Sequence, residues 1–325
     1  MEEKIKLEDL VSCINICVRD TKEANLLSYV SLNGISILIL KTQNSEEYTV
    51  KKRNLIKKLS VEFNPNLGRL RKLISVWIRA IVANGYYVKI CEIESVSRTA
   101  VGVSEAFGQV PFEVGLSFDP VLNVPFIPGS TLKGALRHSL RELVEHRCNS
   151  SGARVKPEDV VNEIFGSQRK TGLVGVTDAY PVSLSNDGRL FEPDVVTPHY
   201  PRAETELDVK PTPVPFLTIA PGVRFRFLLF FNKKIYGEAG RRVGTVADKE
   251  LGSRPIDDIL GYAVHYGGEL SEVLKRSGGV SINIVPWVDR AVLYAFAKGV
   301  GAKTSLGYSR FRVVLYRACE SRVGA

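Results

Sequence analysis

The sequence predicts an α+β fold, a β-α-β-β-α-β core with large insertions behind a helical N-terminal extension. Three observations predict it. A strong helical repeat of apolar residues marks the first hundred positions, β-rich runs separated by long excursions begin near residue 95, and two glycine-rich turns each adjoin a later helix.

Within residues 1–94, positions 8–18 and 21–31 read as short helices. The segment "NPNLGRLRKLISVWIRAIVANG" (64–85) reads as a strong one, because Leu67, Leu70, Leu73, Ile74, Trp77, Ile78, Ile81 and Val82 recur at three and four. Asn66 is placed to cap it and Gly85 to end it. Its other face carries Arg69, Arg71, Lys72 and Arg79, and "KKRNLIKK" (51–58) puts five basic residues into eight. Such runs are more often solvated faces than contacts, so this one is a candidate RNA or partner surface and no more.

From residue 95 to 325 a second unit is expected. "SRTAVGVSE" (97–105) is short and β-like, and a helix follows over about 131–147 with Leu132, Ala135, Leu136, Leu140, Leu143 and Val144 on its apolar side. "GLVGVTDAYPV" (172–182) and "GVRFRFLLFF" (222–231) are strands bounded by Gly and Pro. A helix near 289–298 and a final strand over 308–316 complete the order. That order is the ferredoxin-like, RRM-like arrangement, whose sheet in RNA-binding proteins offers an open face for base stacking.

Two turns carry the chemistry. In "IPGSTLKGALR" (127–137), Gly129 permits close backbone approach and Ser130 or Thr131 stands at the expected N-cap. The free amides and the helix dipole suit an anion, and Lys133, Arg137 and Arg141 follow at a spacing of four as one basic stripe. A capped amphipathic helix with a solvated face explains the same spacing. In "GVGAKTSLGYSRF" (299–311), Gly299, Gly301 and Gly307 permit positive φ, while Lys303, Thr304, Ser305, Tyr308 and Arg310 supply donors or a ring. No Gly directly precedes a Lys-Ser/Thr pair, and a helix leads into a strand rather than the reverse, so this is not a Walker A loop.

Composition narrows the classes. Lys and Arg number 44 against 35 Asp and Glu, a net charge of +9, which favours polyanionic partners. Residues 290–319 hold six basic residues and no acidic one. Five cysteines without a CxxC pair and four histidines support neither a disulfide framework nor a zinc site, and a reducing cytoplasm fits. The start, MEEKIKLEDL, is too charged for a signal peptide, and no apolar run approaches the ~18 residues of a membrane span. No metal or other cofactor is expected.

The two turns together resemble the signature of the RAMP superfamily of CRISPR proteins, over roughly residues 95–317. A third segment narrows the resemblance. "EPDVVTPHYPRAETELDVKPTPVPFLTIAPGVRFRF" (192–227), with Asp194, Thr197, Pro198, His199 and Tyr200, is similar to the sixth-subunit family of the type III-B Cmr effector. The resemblance implies a subunit at the end of a ribonucleoprotein filament, near the 3′ part of the guide RNA. Its implied partners are the guide RNA, possibly the target RNA, a backbone RAMP subunit, the small helical subunit and a second terminal RAMP. It also implies that base pairing rather than protein reads sequence, and it maps the seat at Gly129, Ser130, Lys133 and Arg137 and the loop at Gly299–Gly307 onto the family's two glycine motifs.

By the same resemblance, target cleavage belongs to backbone subunits with an aspartate after the first strand. Here the corresponding stretch, 104–119, offers Glu105 and Glu113, with Asp119 only at its far end, so catalysis is not expected. Asp194, His199 and Tyr200 read as a structural motif, with His199 more often an anchor in such a setting than a base. Asp178 is a metal ligand or, more commonly, a turn cap before Pro181. Arg224 and Arg226 either face RNA or lie on the solvated side of a half-buried strand. Two other readings stay open: a metal-dependent ribonuclease or guide-processing enzyme of the same superfamily, tested at Asp119, Asp178 and His199, and a nucleotide-binding enzyme using the "GVGAKT" loop.

Overall fold

The computed structural model describes residues 25–43, 45–105, 107–151, 156–196, 213–231 and 284–319, and among these three helices precede the first strand. They are α1 (Leu26–Gln43), α2 (Ser45–Glu62) and α3 (Leu67–Ala83). Of the helix expected over 21–31, residues 26–31 lie in α1, which runs on to Gln43, while residues 21–24 and the helix expected over 8–18 lie outside the described residues. In α3 the expected signals act as read. The Asn66 side chain accepts the Arg69 N–H at 3.0 Å, and Gly85, at φ 75°, donates its N–H to the Val82 carbonyl at 2.8 Å.

Among the described residues, the strands of three residues or more are β1 (Tyr87–Ser95), β2 (Val174–Val176), β3 (Tyr180–Ser183), β4 (Phe191–Val196), β5 (Val214–Ile219), β6 (Arg224–Phe231) and β7 (Phe311–Ala318). The later α-helices of more than four residues are α4 (Gly129–Ser151), α5 (Pro157–Phe165) and α6 (Ile284–Lys298). One antiparallel sheet has the order β7-β1-β6-β2, with β3 also pairing β6. β4 and β5 form a separate antiparallel pair.

The first strand lies ten residues before its expected position. Residues 97–105 are irregular, held by the Thr99↔Ile219 bridge, while β1 pairs β6 from Tyr87↔Phe231 to Glu94↔Arg224. The division expected between 94 and 95 thus falls inside β1. The expected strand 172–182 is broken into β2 and β3 at Thr177–Ala179.

Both faces of the sheet are covered where strands β1 and β6 are apolar. On one side, Leu132, Leu136 and Leu140 of α4 and Val288, Val292 and Phe296 of α6 share a core with Cys91, Ile93, Phe225, Phe227 and Leu229. α1 and α2 join that core through Leu26, Val30, Ile56 and Leu59. On the other side, Leu70 and Ile74 of α3 pack with Val88, Ile90, Tyr180 and Leu228. The open, base-stacking face expected of this sheet is therefore occupied by α3. Beyond the end of α3 that face carries a cross-strand ladder instead: Arg224 Nε lies 2.8 Å from Glu94, Arg226 Nε lies 2.8 Å from Glu92, and Arg312 also reaches Glu94. Burial alone would raise the Glu94 pKa, yet Arg224 and Arg312 hold it below the usual carboxylate range. Arg224 and Arg226 are thereby committed to partners within the sheet.

One buried ion pair crosses the main core. Lys89, fully buried on the helix side of β1, places Nζ 3.2 and 3.1 Å from the two Asp289 oxygens of α6. The Tyr316 hydroxyl of β7 donates to the same carboxylate, and its ring centroid lies 4.8 Å from Nζ.

Candidate nucleic-acid interface

The turn into α4 is built for close packing of main chain. The helix begins at Gly129, two residues before its expected start, so Ser130 and Thr131 lie in its first turn rather than at the cap. A Cβ on Gly129 would sit 2.8 Å from the Val176 carbonyl oxygen and 2.9 Å from the Thr177 carbonyl carbon. Only glycine fits there. The Gly129 N–H donates to Asp178 Oδ1 at 2.6 Å, so a carboxylate of the chain itself occupies the helix terminus that was expected to seat a phosphate. The interruption of the strand at residues 177–179 brings Asp178 onto the helix start, while Thr177 stays bonded to Leu228 of β6 through its N–H and its hydroxyl, both at 3.0 Å. Asp178→Ala is expected to destabilise the fold by about 1–2 kcal/mol, read as a lower urea midpoint at unchanged slope. A loss within error of zero would remove the capping role.

The basic stripe that follows is largely neutralised from α5. Arg137 donates to the Glu158 carboxylate and to Asn162 Oδ1, both at 2.6 Å, and to the Gly166 carbonyl at 2.5 Å. Arg141 lies 2.7 Å from the other Glu158 oxygen. Burial opposes it, but Arg137 and Arg141 together hold the Glu158 pKa below its ordinary value. Lys133 differs. It is half-buried, has no hydrogen-bond or ion-pair partner among the described residues, and lines an open cleft of about 420 Å³ with Arg137, Gln168 and Lys170.

The second turn, between α6 and β7, is fixed to the segment after β1. Gly299 and Gly301 have φ of 107° and 136°. Ala302 N–H donates to the Ala100 carbonyl at 2.8 Å, Ser309 N–H to the Arg98 carbonyl at 2.9 Å, and Ala100 N–H to Ser309 Oγ at 3.1 Å. The side chains expected to meet RNA face the β4–β5 pair. Lys303 Nζ lies 4.7 Å from the Phe216 ring centroid and 5.8 Å from that of Tyr308, and burial lowers its pKa against the pull of Asp194. The Tyr308 hydroxyl donates to Asp194 Oδ2, and burial with that carboxylate pushes its pKa up to about 12. Arg98 completes the cluster, 3.1 Å from Glu192 and 3.7 Å from Asp194. Thr304 is half-buried beside Gly299, whereas Gly307 has open space around it and the Arg310 side chain is exposed. Asp194 is thus the anchor of a junction, while His199 and Tyr200 lie outside the described residues.

The other carboxylates weighed as catalytic are also placed. Asp119 Oδ1 accepts the Val121 and Leu122 N–H groups, both at 2.9 Å, and its Oδ2 accepts the Tyr180 hydroxyl at 2.7 Å. Glu113 lies 3.7 Å from the buried Lys52 ammonium. Among the described residues no three His, Cys, Asp or Glu side chains converge as a metal-holding group, and no helix is long and apolar enough to cross a membrane. Sequence spacing missed Glu158 as the partner of Arg137 and Arg141; the signal available was an acidic first turn on α5.

Comparison with known proteins adds to this geometry. The model of the RAMP superfamily matches residues 92–312. The chain is 33% identical over 259 residues to a Saccharolobus solfataricus protein described as CRISPR system CMR subunit Cmr6, covering 77% of this chain and 84% of that one. A chain in the cryo-EM structure of the type III-B Cmr-beta complex bound to cognate target RNA superposes with a TM-score of 0.67 at 26% identity, covering 97% of this chain and 99% of that one. Cmr6 from Pyrococcus furiosus matches over 71% of this chain and 98% of its own at 19% identity, with a TM-score of 0.34.

Proposed function

The chain belongs to the RAMP superfamily, and from that membership we propose that it is a noncatalytic guide-RNA-binding and assembly subunit of a type III-B (Cmr) CRISPR effector. The observation that carries this reading is the likeness, over nearly the full length of both chains, to a chain of a Cmr complex bound to target RNA. The partners in this reading are the guide RNA, target RNA paired to it, and neighbouring Cmr subunits, in the cytoplasm and without a cofactor. The sheet order β7-β1-β6-β2, linked by α4 and α6, supports assignment of the core as ferredoxin-like.

Within this reading Lys133 is the phosphate contact on α4, since its neighbours Arg137 and Arg141 already hold Glu158. Anisotropy of labelled guide-length single-stranded RNA across a salt series tests it. Lys133→Ala is expected to weaken binding for all sequences alike and to reduce the slope of log affinity against log salt by about 0.7, one single-strand phosphate contact. An unchanged slope removes Lys133 from the interface. The same samples on a denaturing gel, with and without Mg²⁺, test the noncatalytic part: intact RNA agrees with it, and metal-dependent shortening that is lost in an Asp119→Ala variant makes the chain a nuclease.

A further inference from the structure

Most of the basic runs singled out in the sequence prove to be matched internally. Glu158 takes Arg137 and Arg141, Glu92 and Glu94 take Arg224, Arg226 and Arg312, and Glu47 lies 3.1 Å from Lys51. α3 is different. Residues 63–91 contain no Asp or Glu, and the exposed Arg69, Lys72 and Arg79 have no hydrogen-bond or ion-pair partner through their side chains among the described residues. Of the cations on this helix, Arg71 is the one engaged among the described residues, donating to the Val182 carbonyl at 2.6 Å.

The three unmatched cations fall on one line. Positions 69, 72, 76 and 79 advance by three, four and three residues, so Arg69, Lys72, Val76 and Arg79 share a helical face. Leu70 and Ile74 bury the opposite face against the sheet. The line is about 15 Å long at the helical rise of about 1.5 Å per residue. Past its C-terminal end, after the Gly85 turn, stands Tyr86, whose ring is 38% exposed and packs edge-on against Phe230.

We propose that the Arg69–Lys72–Arg79 line of α3, with Tyr86 at its end, is a second single-stranded RNA-binding surface, placed by the fold over the sheet face that α3 closes. It rests on the RNA-binding reading above and adds a surface that reading does not use. A row of cations that tracks phosphates beside an aromatic ring on which a base stacks is the chemistry of sequence-independent strand binding. A protein partner fits less well, because the centre of a protein interface is depleted of charge, and this line holds three cations around the single apolar Val76.

The test is the same salt series on the full chain. The triple variant Arg69→Ala/Lys72→Ala/Arg79→Ala is expected to bind guide-length RNA at least tenfold more weakly at low salt, with a salt slope smaller by about 2, or 0.7 for each of three contacts. Tyr86→Leu is expected to weaken binding about fivefold or more with the slope unchanged, as loss of stacking does, and Lys72→Arg to bind as wild type does. If the triple variant unfolds, the single Lys72→Ala, with an expected slope change of about 0.7, carries the test. Lost slope in Lys133→Ala with wild-type slope in the α3 variants overturns this surface and leaves the guide-binding reading standing. No RNA binding by the wild-type chain overturns both, and loss of an acidic protein partner at unchanged RNA affinity replaces RNA with protein as the occupant.

Discussion

Asp289→Ala is expected to lower the unfolding free energy by about 3–5 kcal/mol, because it removes the carboxylate that faces the fully buried Lys89 ammonium. The three groups come from α6, β1 and β7, so the loss reaches across the helix layer and two strands at once. Urea denaturation followed by far-UV circular dichroism reads it as a drop in midpoint. The double replacement Lys89→Met/Asp289→Leu is expected to recover most of the loss, since a packed apolar pair replaces a buried ion pair at little cost. A loss below about 1 kcal/mol for Asp289→Ala would mean that water or a shifted proton relieves the site, and that the ion pair does not hold these elements together.

That same residue explains what the sequence concealed. β1, "YVKICEIES", puts Lys89 among Tyr87, Cys91 and Ile93 on one face and Glu92 and Glu94 beside Val88 and Ile90 on the other, so neither face reads as apolar. The charges belong there only because Asp289, Arg224, Arg226 and Arg312 meet them, and those partners lie some 130 to 220 residues away. Local spacing has no access to them. α3 was legible because its cap, its apolar stripe and its stop are all local. The long helix of the "IPGSTLKGALR" motif was legible too, and so was the requirement for glycine at 129. What escaped was that Asp178 and Glu158, each supplied from another element, occupy the Gly129 amide and two of the guanidiniums that spacing had offered to RNA.

Gly301→Val is expected to cost about 3 kcal/mol or more and to deplete soluble full-length protein. Gly301 sits at φ 136°, a conformation that disfavours any L side chain, and a Cβ there would meet the Ala100 carbonyl oxygen at 2.8 Å and Ser309 Oγ at 2.9 Å. The main chain at Ala100 cannot yield without breaking its bond to Ala302. Gly307→Ala, strained only by its φ of 85° with open space around it, is the comparison and is expected to cost about 1 kcal/mol. Equal stability of Gly301→Val and wild type, by thermal unfolding, would show that the loop relaxes away from residues 98–101 and is not a fixed junction.

The first strand among the described residues, β1, ends in the interior of the sheet. β1 has β6 on one edge and β7 on the other, so both of its hydrogen-bonding edges wait for segments made more than a hundred residues later. During vectorial synthesis the emerging N-terminal half holds α3 and an unsatisfied strand, and only release of the last turn and β7 closes the sheet. Such a chain folds late, through pairings of high sequence separation, and its exposed edges are open in the interval to other nascent chains. The sheet, the ion pair and the glycine junction all need residues 289–318, so a copy terminated before residue 289 lacks the three parts that close the fold around β1.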